Sequence, residues 1–129
     1  MIKKLNNHGQ VLILFIIFIP IFIALLAIAV DLGLIAYNRK DLNGISIAAL
    51  SYVKQNIKDY EKEEIRKIVL ENDKNITVVK LDDNDQNVVL VLKKSINSIF
   101  GSIIGLDQYN INSSYKYNKE TKKIIRINE

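Results

Sequence analysis

The pattern of hydrophobic and polar positions divides the chain into a strongly apolar stretch and a mixed remainder. Residues 11–30, VLILFIIFIPIFIALLAIAV, contain no charged and no hydrogen-bonding side chain. A helix rises about 1.5 Å per residue, so this run would extend about 30 Å, the thickness of a bilayer's hydrocarbon core. The pattern therefore predicts a transmembrane helix over residues 10–31. Pro20 lies near its middle and favours a local kink, because proline has no backbone N–H to donate.

The helical spacing continues beyond the apolar run. Its apolar positions recur at intervals of three or four residues, which places them on one side of a helix. These positions are Leu42, Ile45, Ala49, Tyr52 and Val53. We therefore predict one long helix over residues 10–57, apolar on all sides in its first half and amphipathic in its second.

A second, shorter helix is predicted to follow. Asp59 is a suitable N-cap, and three glutamates fall in the first turns, where negative charge is favourable. Ile65, Ile68 and Val69 then form an apolar edge. The glutamates alternate with Lys and Arg, so we interpret them as a solvated face and not as catalytic carboxylates.

The distal part of the chain has the composition of a small sheet. β-branched residues dominate residues 76–81 and 88–94, which predict a hairpin. Asp82, Asp83 and Asp85 lie between them, but the Gly and closing Glu of a calcium loop are missing, so a turn is favoured over a metal site. The remaining predicted elements are a short apolar helix at 96–104 ended by Gly105, a strand at 109–117, a turn at 119–122 and an edge strand at 124–127.

One face of the predicted strand at 109–117 carries three tyrosines. Tyr109, Tyr115 and Tyr117 share this face if side chains alternate along the strand. Packing against the amphipathic helix is the favoured role for the face, and contact with a partner is the alternative.

These elements predict an α+β fold. It consists of a long N-terminal helix, a second short helix and a small antiparallel sheet of three or four strands. The domain organisation that follows is a basic leader at residues 1–9, the transmembrane helix at 10–31 and an extracytoplasmic domain at 32–129, which begins with the amphipathic continuation of the helix.

The charges next to the span predict its orientation. Lys3 and Lys4 precede it and Asp31 follows it, which favours a cytoplasmic N-terminus and an extracytoplasmic C-terminal domain. Arg39 and Lys40 reduce this asymmetry. The run is longer than the apolar part of a secretory signal peptide, so a permanent anchor or a pilin-type leader fits better.

Composition excludes several kinds of chemistry. The chain has no cysteine, so disulfides, thiolate metal sites and cysteine catalysis are ruled out. Its one histidine is His8, and no set of acid, base and nucleophile is recognisable, so we predict that the protein is not an enzyme and uses no cofactor. The net charge of +4 is spread along the chain, which does not favour nucleic-acid binding.

A set of short motifs follows in order along the chain. They are Gly9-Gln10, Pro20, Asp31-Leu32-Gly33, residues 37–43, residues 48–50, residues 88–92, residues 99–105 and residues 109–114. Through these motifs, most of residues 8–115 resembles the TadE/TadG-like family, membrane-anchored proteins related to pilins in tight-adherence (Flp) pilus systems. The family has a basic leader ending in Gly, an apolar span with a Pro, an Asp-Xaa-Gly-like exit and a helix with characteristic segments. It often ends with a strand, a short apolar segment closing at Gly, and a further strand.

The resemblance implies a processing site between Gly9 and Gln10, where a prepilin peptidase would cut. The alternative is that Gly9 only marks the start of the helix. Members usually carry a Glu five positions into the mature chain, but Leu14 stands there, which moves the match toward the TadG-like side. Pro20 is either a proline that a membrane helix tolerates or a residue with a role in assembly, and Gly33 belongs to the exit from the span. Asp31 either hydrogen-bonds a neighbouring subunit or is a simple charge at the end of the span.

The expected function is that of a membrane-anchored minor pilin-like protein in the assembly, anchoring or tip of a tight-adherence surface pilus. Its expected partners are the lipid bilayer, other pilin-like subunits and the pilus assembly platform. The alternative is a membrane-tethered extracytoplasmic domain that senses or binds and never polymerises. The expected location is the cell membrane, crossed once, or a surface filament built from it.

Overall fold

The computed structural model describes residues 7–127, with only the backbone described for Asn7 and His8. It confirms the predicted α+β fold. A long helix comes first, a short helix follows, and an antiparallel sheet ends the described chain. The elements in chain order are α1 (Asn7–Gln55), α2 (Lys62–Asn72), β1 (Thr77–Asp83), β2 (Asn87–Asn97), a 3-10 helix (Gly101–Ile104), β3 (Gln108–Asn118) and β4 (Lys123–Arg126).

The first helix, α1, has two environments along its 49 residues. Its apolar half is exposed to the surroundings, and its length and composition are sufficient to cross a membrane. The helix continues through Pro20 and ends at Gln55, two residues before the predicted end. The second half lies under the sheet. One continuous helix therefore joins an apolar rod to a folded domain.

The sheet is a simple meander that packs on the second half of α1. Its strands lie in the order β1-β2-β3-β4, and all three pairings are antiparallel. Alternate side chains of β2 point into the core, as the period of two in a strand requires. The buried apolar residues are Leu42, Ile45, Ala49, Leu50, Val53, Ile65, Val69, Ile76, Val88, Leu90, Leu92, Ile96, Ile111 and Tyr117.

The second helix, α2, begins later than predicted. It starts at Lys62, and Glu61 occupies the N-cap position without a side-chain hydrogen bond. The prediction of Asp59 as the N-cap is therefore wrong. The backbone N–H of Asp59 donates to the carbonyl of Asn56 at 2.9 Å, so Asp59 belongs to the turn that follows α1. The predicted apolar edge of α2 packs on the core.

The helix predicted at 96–104 is mostly wrong. Ile96 continues β2 and pairs with Tyr109 of β3, because its side chain extends the buried face of the strand. Only the 3-10 helix remains, and Gly105, with φ 87°, ends it in a left-handed conformation that glycine adopts without strain. The β2–β3 connection thus contains an irregular segment, residues 99–106, which we call the 99–106 loop.

The other strand predictions are confirmed. The hairpin of β1 and β2 turns at residues 84–86, where the Asn84 side chain accepts hydrogen bonds from the backbone N–H groups of Gln86 and Asn87. The turn after β3 and the edge strand β4 also lie where the pattern placed them. In β3, the three tyrosines face the core, with Tyr117 buried and the other two packed against it.

Candidate functional site at Asp31 and the 99–106 loop

Asp31 is a buried acidic residue at the junction of the apolar rod and the folded domain. It directly follows the apolar run, and it remains within α1, so the helix fixes its position. Only 5% of its surface is exposed. Burying a carboxylate is costly unless hydrogen bonds replace its water. The partners of its two oxygens therefore decide what this residue does.

Four donors from the distal part of the chain surround the Asp31 carboxylate. Oδ1 accepts the backbone N–H groups of Ile99 at 3.2 Å and Phe100 at 3.1 Å. Oδ2 accepts the N–H of Gly101 at 2.7 Å and the hydroxyl of Tyr109 at 2.7 Å, with a longer 3.3 Å approach from Phe100. Since three successive N–H groups converge on one carboxylate, Asp31 serves as the cap of the 3-10 helix although it lies on another element.

The Tyr109 hydroxyl completes this arrangement. Its hydrogen bond to Asp31 raises the pKa of the Tyr109 phenol, so the hydroxyl keeps its proton and stays a donor. Gly101 lies directly against both groups. A Cβ at this position would come within 2.7 Å of the Leu106 carbonyl and 3.1 Å of Asp31 Oδ2, and would collide with the Tyr109 hydroxyl. The site therefore requires glycine at position 101.

The sequence-based interpretation of Asp31 needs correction. A simple charge at the end of the span would face water, whereas this side chain is buried. Both oxygens accept hydrogen bonds within the chain, and a contact with a neighbouring subunit stays a prediction. In the structure, the Asp31 carboxylate holds the 99–106 loop against α1.

The other residues singled out at the N-terminal end and in the span are spread along α1. Gly9 and Gln10 lie within α1, which is described from Asn7 onward, and both the cleavage between them and Gly9 as the start of the helix stay predictions. Lys3 and Lys4, on which the orientation depends, lie outside the described residues. Gly33 is exposed with open space around it.

The amphipathic positions of α1 form the helix side of the core. Leu42, Ile45, Ala49 and Val53 are buried, and Tyr52 is partly buried against them. A polar contact adds to this interface. The hydroxyls of Ser46 in α1 and Ser113 in β3 are both buried and hydrogen-bonded at 2.8 Å. Sequence reasoning missed this pair, because two serines 67 positions apart carry no signal of their contact.

A polar cluster at Lys94 ties strand β2 to both helices. Its ammonium group lies 2.5 Å from Asp73, at the end of α2, and donates to the side chain of Asn38 in α1 at 3.3 Å. The hydrogen bond from Lys94 lowers the pKa of Asp73, and a bond from the backbone N–H of Asn75 adds to this effect. This cluster secures the α2 end of the domain.

A second polar cluster surrounds Asp83 at the end of β1. Its carboxylate accepts hydrogen bonds from the Tyr60 hydroxyl and from the Lys119 ammonium group. Burial, and then the bond to Asp83, raises the pKa of Tyr60. The carboxylate of Asp83 is therefore engaged in joining three segments of the chain.

The polar groups of these three sites form hydrogen bonds and ion pairs within the chain. Within residues 7–127, no three His, Cys, Asp or Glu side chains are grouped so that they could hold a metal ion. The Asp31 site offers no free acceptor. The signal in the sequence that could have found this site is a single acid directly after a long apolar run. Comparisons of the chain with protein-family models, with curated proteins and with solved structures find no significant match.

Proposed function

We propose that this chain is a membrane-anchored minor pilin-like protein that contributes to the assembly, anchoring or tip of a tight-adherence-type surface pilus. The observation that carries the proposal is the continuity of α1. The same helix provides an apolar rod of bilayer length and then the central support of the folded domain. We place the N-terminus in the cytoplasm and the domain outside.

The connection between rod and domain supports this role. A flexible linker after the span would let the domain move independently of the anchor. Here α1 has no break, and Asp31 additionally fastens the β2–β3 connection to the helix next to the apolar run. The position of the domain relative to the rod is thereby fixed, as a subunit with a defined place in a helical assembly requires.

The exposed surface of the rod supports assembly through close packing. Residues 11–26 are all exposed in the isolated chain, so this surface is open to lipid or to other helices. Moving from lipid into a helix bundle exchanges one apolar environment for another, so packing and not hydrophobic transfer supplies the attraction.

The test is to follow the chain in cells that assemble the filament. We expect protease added to intact cells to digest the domain, and mechanical shearing to release the protein together with surface filaments. Mass spectrometry of the released protein should find Gln10 as the first residue.

A Gly9→Val variant should stay in the membrane fraction, because the leader is not cut. A Gly44→Ala variant is the matched control, since Gly44 also lies in α1, in open space. Release of both variants alike would contradict the proposal.

Leu14 favours a second candidate function. A regular pilin subunit would carry Glu at this position, and the chain has none there. The alternative is a permanently tethered domain that senses or binds outside the membrane and never polymerises. In that case the mature protein retains Met1, and shearing leaves all of it in the membrane fraction.

A further inference from the structure

The 99–106 loop exposes large apolar side chains. Ile103 is 80% exposed and Ile104 is 74% exposed, and Ile99, Phe100 and Leu106 are also exposed. No charged residue occurs from position 95 to position 106. Loops in water usually carry polar residues, and exposing an isoleucine side chain to water is unfavourable. The composition of this loop therefore fits an apolar environment.

The loop lies beside the apolar rod and not at the far end of the domain. Together with Pro20, Ile23, Ala24 and Ala27 of α1, it lines an apolar groove of about 610 Å³. Ala24 lies six residues before the end of the apolar run. At about 1.5 Å per residue, it would lie about 9 Å below the surface of the hydrocarbon core of a bilayer that the run crosses. The exposed isoleucines thus lie next to the part of the rod that hydrocarbon would surround.

Six of the eight backbone N–H groups of the 99–106 loop donate hydrogen bonds to partners within the protein. Lipid offers no hydrogen bonds, so backbone N–H groups placed there need partners within the protein. Asp31 accepts those of Ile99, Phe100 and Gly101. Within the loop, the N–H groups of three further residues donate to loop carbonyls: Ile103 at 3.1 Å, Gly105 at 3.2 Å and Leu106 at 2.9 Å.

We propose that the 99–106 loop is a second membrane-inserted element, whose isoleucines contact lipid acyl chains in the leaflet next to the domain. The inference rests on the proposed membrane anchoring. Lipid is the occupant because the groove is continuous with the rod and opens at hydrocarbon depth. Asp31 makes insertion possible, since it accepts hydrogen bonds from backbone N–H groups that would otherwise face lipid without a partner. The domain then contacts the membrane at two places, which sets its orientation.

The test uses the full chain in phosphatidylcholine–phosphatidylglycerol vesicles. Because the chain has no cysteine, a single one can be introduced by Ile103→Cys and labelled with an environment-sensitive fluorophore. Ile125→Cys is the matched control, an apolar residue that is 41% exposed in β4. Ile125 pairs with Lys116, about 23 Å along β3 from Tyr109, so its label should stay in water. The label at position 103 should emit at shorter wavelength and be quenched several times more strongly by nitroxides on lipid acyl chains.

Each contrary outcome has a separate meaning. If both labels are equally hydrated while the protein stays in vesicles washed with alkaline carbonate, insertion of the loop is wrong and the anchor stands. If carbonate extracts the protein, the anchor itself is wrong. If the label at position 103 is shielded but escapes acyl-chain nitroxides, and dilution with lipid exposes it, a second copy of the chain covers the loop, and the proposal is overturned.

Discussion

The hydroxyl of Tyr109 donates a 2.7 Å hydrogen bond to the carboxylate of Asp31, joining strand β3 to helix α1 across 78 positions of sequence. The same carboxylate receives the backbone of the loop between β2 and β3. One acidic side chain thereby links the apolar rod, the loop beside it and the sheet.

Removing the Asp31 carboxylate should release the loop. Asp31→Ala leaves three backbone N–H groups and the Tyr109 hydroxyl without their acceptor, and we expect a loss of about 3 kcal/mol in the free energy of unfolding. Tyr109→Phe removes one donor and should cost about 1.5 kcal/mol. In the Asp31→Ala background, Tyr109→Phe should cost much less, because the two residues act as a pair. Denaturant titration in detergent measures these values. Equal costs of Tyr109→Phe in both backgrounds would show that the two residues act independently.

Gly101 and Gly44 should respond to alanine in opposite directions. Gly101→Ala places a methyl group against the Tyr109 hydroxyl and the Leu106 carbonyl, so we expect a loss of about 1–3 kcal/mol. Gly44→Ala meets open space inside a helix and should gain up to about 1 kcal/mol. The unfolding temperatures of the two variants, measured by circular dichroism, check both expectations. A Gly101→Ala protein as stable as the parent would show that the loop does not pack as described.

The buried pair Ser46 and Ser113 should show non-additive energetics. Ser46→Ala leaves the Ser113 hydroxyl buried without its partner, and we expect a cost of about 1–2 kcal/mol. Replacing both serines by alanine removes both polar groups and should restore most of that loss. The exposed Ser102→Ala variant is the control and should be nearly neutral. Additive costs in the double variant would contradict the hydrogen bond between these hydroxyls.

The contribution of the Asp73–Lys94 ion pair to the free energy of unfolding should disappear in acid. The hydrogen bond from Lys94 holds the pKa of Asp73 below its ordinary value of 3.8, so the folded state binds the proton less readily than the unfolded state. The stabilisation is therefore complete above the unfolded-state pKa and is lost as the pH falls through the folded-state pKa. Asp73→Asn should cost about 1 kcal/mol at neutral pH, and this difference should shrink below about pH 4.

Asn suits this test because its side-chain oxygen can still accept the N–H of Asn75, so the turn there is kept. Free energies of unfolding of both proteins, measured across this pH range, give the comparison. A difference between the two proteins that stays constant into acid would exclude the ion pair as its source.

The sequence determined those features that depend on local pattern. Twenty apolar positions in a row and then helical spacing specify one long helix, since a hydrophobic period can be read without knowing the fold. The alternation of β2 and the polar turn after β1 specify the hairpin in the same way. The tyrosine face of β3 follows from a period of two. These local patterns were sufficient to predict the α+β fold class.

The tertiary structure alone decided where the polar groups find partners. The sequence shows Asp31 at the end of the apolar run, but the donors to its carboxylate lie 68 to 78 positions away, and no local pattern indicates such a contact. The 96–104 segment misled the sequence argument, because its apolar residues satisfy a helical period while Ile96 is buried as part of a strand. Local periodicity reports which face of an element is apolar. The burial of a charge is decided by whatever the fold brings within hydrogen-bonding distance, and that is a property of the whole chain.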